Sequence, residues 1–72
     1  MTDLDARLLA AHEAGDRRAL IDLYCEAAHH AQNDAASGFY LTHAYVFALE
    51  EGAPEATDLR RKLIAMGRET PL

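Results

Sequence analysis

Residues 35–52 read "AASGFYLTHAYVFALEEG", and the fold turns on them. Phe39, Tyr40, Leu41, Ala44, Tyr45, Val46, Phe47, Ala48 and Leu49 spread around most of the circumference of a 3.6-residue helix. A helix apolar on nearly every side has to be covered by more than one neighbour. This stretch is therefore expected to be the centre of the domain, and the remainder of the chain must supply the helices around it.

Working outward, turn-forming residues cut the chain at Gly15-Asp16, Asn33-Asp34 and Gly52-Ala53-Pro54. Apolar residues recur at helical spacing in every segment between these cuts, and sustained period-two alternation is missing. The expected fold is all-α, with four short antiparallel helices over approximately 3–14, 17–32, 36–51 and 54–66, in a single domain. Thr2 or Asp3 can cap the first helix, whose inner stripe is Leu4, Leu8 and Ala11; Gly15 can end it, and Asp16 can cap the second. On the second helix Leu20, Tyr24, Ala27, Ala28 and Ala31 share one side, and the alanines permit close approach of a neighbour. Gly52 ends the third helix and Pro54 suits the first turn of the fourth, where Ala56, Leu59, Leu63 and Met66 form a stripe. Gly67 can close that helix.

The 72 residues carry a net charge of −5. Through Glu55 ten acids face only Arg7, Arg17 and Arg18, while residues 56–72 are net positive. Duplex DNA would be repelled by most of such a surface, and Arg60-Arg61-Lys62 lacks interleaved aromatics, so no nucleic-acid partner is expected. The longest apolar run, Ala44 to Leu49, is far short of the roughly 20 residues that span a bilayer. The acidic opening "MTDLD" is unlike a secretory signal, and a single cysteine cannot form an internal disulfide. A cytoplasmic protein follows as the expectation, and six arginines against one lysine in an alanine-rich chain suggest a GC-rich bacterial genome.

The segment "AYVFALEEGAPEATDLRRKL" (44–63) resembles the second helix of a tetratricopeptide repeat running into the next one. Ala48, Leu49 and Glu50 match its Ala-Leu-Glu, and Pro54 its terminal proline. Leu20 and Tyr24 are spaced like the leucine and tyrosine of the first repeat helix, with Ile21 where that pattern prefers glycine. Tyr24 and Ala48 are farther apart than in a consensus repeat of about 34 residues, tryptophan is absent, and no second copy recurs. The resemblance thus covers one degenerate repeat, from Asp16 to about Gly52, between two single helices; a plain four-helix bundle is the other architecture. It implies protein or peptide binding by an adaptor, with a second copy of the chain as an alternative partner. Phe39, Tyr40 and Leu41 on the third helix, with Arg60 and Arg61 on the fourth, are the expected contact residues.

One other constellation bears on chemistry. On a helix, Asp22, Cys25, Glu26 and His29 fall at i, i+3, i+4 and i+7, along one strip, with His30 at its flank. Thiolate, imidazole and carboxylate are zinc ligand types, so Cys25, Glu26, His29 and His30 are the alternative reading, a small metal-binding protein. Against it, the sequence lacks a second ligand pair of the Cys-x-x-Cys or His-Glu-x-x-His kind. A mid-helix Cys25 has neither a helix N-terminus to lower its pKa nor a glycine loop to hold an oxyanion. No enzymatic activity and no cofactor are expected.

Overall fold

A computed structural model of the chain describes residues 3–67. Four helices account for most of them: α1 (Asp3–Ala14), α2 (Arg17–His30), α3 (Asp34–Glu51) and α4 (Glu55–Ala65), and no strand occurs among the described residues. The all-α expectation therefore holds. No helix among the described residues is long and apolar enough to cross a membrane.

Local chemistry sets the boundaries. Gly15 and Gly52 take φ of 66° and 67°, a left-handed conformation that costs a residue with a Cβ about 1–2 kcal/mol. At both ends the chain beyond the glycine folds back: the Asp16 N–H donates to the Ala11 carbonyl (3.0 Å) and the Ala53 N–H to the Ala48 carbonyl (2.9 Å). These 6→1 bonds satisfy carbonyls that the helix leaves open. Asp16 caps α2 by accepting from the Ala19 N–H at 3.1 Å. Asn33 caps α3 by accepting from the Ala36 N–H at 2.8 Å. Because Asn33 is a cap, α3 begins at Asp34, two residues before the expected start, and α2 stops at His30 rather than residue 32. Thr2, offered as a first cap, lies outside the described residues.

Close backbone approach is confined to successive pairs, and the α2–α3 pair is the most extensive. Its seam is built of small residues: Ala27 and Ala28 from α2, and Gly38, Ala44 and Ala48 from α3, are all buried. Ile21, 1% exposed, fills the space beside them together with Leu41, Leu59 and Leu63. α1 lies on one flank of this hairpin and α4 on the other. The Cα envelope measures 35 × 29 × 12 Å, so its short dimension is about one helix diameter and both broad faces meet solvent. The helices run 12, 14, 18 and 11 residues, with no repeating unit among them.

Three arginines tie the layer together at its surface. Arg7 of α1 meets Glu26 of α2 at 2.5 Å, Arg17 of α2 meets Glu50 and Glu51 of α3 at 3.8 and 3.6 Å, and Arg18 of α2 meets Glu55 of α4. Arg18 also pairs with Asp22 on its own helix.

Two outcomes test this packing. Ile21→Ala should cost about 2–5 kcal/mol, most of the ~3–5 kcal/mol a core this small supplies, leaving a protein that urea titration finds largely unfolded. The second concerns acid. The hydrogen bond from Arg18, helped by a backbone donor, holds the Glu55 carboxyl below its ordinary value of 4.5. A group depressed on folding stabilises above the unfolded pKa and loses that contribution as pH falls through the folded one. Melting temperature should therefore drop more steeply below pH 4.5 in the wild type than in Arg18→Gln; parallel curves would show that the pair contributes nothing.

Candidate functional site

The residues named from sequence as contact residues differ in exposure. Leu41 is 7% exposed and belongs to the core, so it is corrected from contact residue to packing residue. The apolar circumference of α3 gave no means of telling its inner side from its outer one. Phe39 is exposed, and Tyr40 is half-buried against the core with its ring edge-on to Phe39. Arg60 and Arg61 stand apart on α4, Arg61 paired with Asp58 at 3.6 Å.

The metal-type strip also divides. Glu26 accepts from Arg7, and Asp22 is held by Arg18. Cys25 is partly buried, and that burial pushes its thiol up, opposed by the charge of Lys62. His29 is exposed, with its ring edge-on to His30. Cys25 and His29 share a depression with Ser37 and Lys62, whose ammonium is a poor neighbour for a cation. Among the described residues no three histidine, cysteine or carboxylate side chains converge as a metal would require.

What the fold does assemble is an aromatic ridge. Tyr24 of α2 reaches over α3 and lies nearly parallel to His43 (centroids 5.0 Å, 25°) and Phe47 (5.9 Å, 16°), with Tyr40 at 6.3 Å. From α1, His12 sets its ring edge against Tyr24 and Phe47, and its Nε2 lies 2.9 Å from the Tyr24 hydroxyl. Burial, and then the neighbouring Tyr40, pushes the Tyr24 phenol above its usual value, so it stays neutral. Tyr40, His43 and Phe47 reach the same tyrosine because they recur at i, i+3 and i+7 on α3.

Just beyond this ridge lies the most apolar exposed surface. Of the four large hydrophobic residues left in solvent among the described residues, three, Phe39 (57% exposed), Val46 (46%) and Leu49 (56%), are on α3, and the fourth, Leu9 (54%), stands on α1. Thr42, His43, Val46 and Phe47 line a shallow depression of about 240 Å³. Its polar side chains turn their hydrogens inward: the Thr42 hydroxyl donates to the Gly38 carbonyl at 2.8 Å, and His43 Nδ1 lies 2.9 Å from the Phe39 carbonyl. A carbonyl oxygen can only accept, so His43 carries a proton on Nδ1. His43, Val46 and Phe47 were absent from the expected contact set, although Phe39, His43 and Phe47 recur at i, i+4 and i+8 and mark the stripe in the sequence.

Comparison with protein-family models, with curated proteins and with solved structures finds no match to this chain.

If the strip on α2 is divided in solution as it is here, adding Zn²⁺ or a chelator should leave the melting temperature unmoved. A zinc-dependent rise that Cys25→Ser removes would show instead that Cys25 and His29 are drawn into one ligand set.

Proposed function

We propose that this chain is a small non-enzymatic interaction module that binds another protein, or its own copy, through the outer face of α3. The observation that carries the reading is the grouping of Phe39, Val46 and Leu49, three large apolar side chains left in solvent along one helix. Single exposed apolar residues are ordinary on a soluble domain, but three along one helix beside an aromatic ridge point to a protein contact. Aromatic residues are also the ones that most often dominate binding energy. The resemblance of Leu20, Tyr24, Ala48, Leu49 and Pro54 to a tetratricopeptide pattern is in sequence alone, and it implies the same kind of role, since proteins of that family act as adaptors.

The direct test is affinity purification of the full chain from its native cells, with Val46→Asp as the paired control. Val46 is exposed, so the variant should keep wild-type helicity and melting behaviour. Retention of a partner, or of a second tagged copy, should fall by at least about tenfold, the scale of losing one apolar anchor of about 1–2 kcal/mol. Equal recovery of every protein by wild type and variant would remove the case for this face.

A further inference from the structure

Resting on that reading, we infer that the partner is a basic amphipathic helix, seated along α3 with a cationic side chain at the Glu50/Glu51 end. The surface relief argues for a helix. Thr42–Val46–Glu50 and Phe39–His43–Phe47–Glu51 are two adjacent i, i+4 rows, and the depression between Thr42, Val46, His43 and Phe47 is the groove that separates them. A groove of this kind accepts the corresponding ridge of another helix. The chemistry argues for positive charge. The hydroxyl of Thr42 and Nδ1 of His43 are committed to backbone carbonyls of their own helix, so neither offers a donor to a ligand. At its C-terminal end the same pair of rows finishes in two carboxylates, which share one guanidinium, Arg17, at 3.8 and 3.6 Å. One positive charge against two negative leaves this end acidic, and the C-terminus of the α3 dipole adds to the negative potential there. α1 and α3 together hold Asp3, Asp5, Glu13, Asp34, Glu50 and Glu51 against Arg7 as their only arginine or lysine. A ligand must therefore bring apolar anchors, hydrogen-bond donors and cations.

A second copy of this chain meets only part of that requirement. Its basic helix is α4, whose apolar residues Leu59 and Leu63 are already buried in its own core, so it would bring charge without anchors.

The test is selection from a displayed library of helical peptides, randomised in charge and apolar pattern, against the immobilised full chain, followed by ¹⁵N chemical-shift mapping of the enriched peptides. Basic sequences with apolar residues at helical spacing should be enriched and should perturb Phe39, Thr42, His43 and Val46. Their affinity should fall as salt is raised, and by about tenfold or more in Glu50→Lys/Glu51→Lys, checked for folding by circular dichroism. Neutral or acidic peptides mapping to this groove would overturn the basic-helix inference and leave the interaction reading standing. So would a dimer whose own contact covers Val46. Enrichment only on other faces, or none at all with a monomeric protein, would overturn both.

Discussion

The close approach of α2 to α3 is the constraint on which everything else in this molecule depends. Ala27, Ala28, Gly38, Ala44 and Ala48 let the two backbones draw together, and the hairpin they make is the platform for α1 and α4. Small residues bury little area each, at about 25 cal/mol per Å², so a seam of this kind gains contact at the cost of hydrophobic yield. Among the described residues, only Ile21 and Leu63 of the larger side chains are fully enclosed. The arginine pairs do not make up the difference, because exposed ion pairs contribute about 0–1 kcal/mol each. Their value is geometric. Arg7, Arg17 and Arg18 each bridge a different pair of helices, and a slipped register would strand all three.

The seam also explains the location of the aromatic residues. A space sized for alanine cannot admit a ring, so Tyr24, Tyr40, Phe47 and His43 are displaced to its edge, where they stack on one another instead of filling the centre. The layer is too thin for a second shell of helices to cover them. A half-exposed aromatic ridge is thus a structural product of close helix packing, and the apolar face of α3 continues it outward. Fold and candidate site share one cause.

Much of the fold was legible in the sequence because it rests on local chemistry. Gly15, Asp16 and Gly52 act within a turn of their own position, and their roles need no knowledge of distant residues. The same locality made the stripe of Leu59 and Leu63 on α4 readable. Orientation was harder. A helix with apolar residues all round gives no hydrophobic contrast, so the burial of Leu41 and the exposure of Phe39, two positions away, are set by neighbours. Ile21, read only as a departure from a repeat pattern, proved more buried than Tyr24 for the same reason. The arginine partners of the metal-type strip are long-range ones: Glu26 is engaged by Arg7, 19 residues away in sequence, and the Arg18 that holds Asp22 also reaches Glu55, 37 residues away. Spacing places residues on a strip but says nothing of which cation reaches each carboxylate.

Glu50 and Glu51 join these two lines of argument. They fasten α3 to Arg17 of α2 and also form the acidic end of the groove on α3. At 3.6 and 3.8 Å, with both partners well exposed, these contacts are looser than the pairing of Arg7 with Glu26, and loose exposed pairs are inexpensive to rearrange. A cation arriving from a partner would therefore find two carboxylates whose existing bond is easily shared. The α2–α3 hairpin would not come apart as a result, because its cohesion lies in the buried alanine seam. Separation of the two tasks, small residues holding the fold inside and paired acids remaining available outside, is what lets so thin a layer offer a surface without endangering its core.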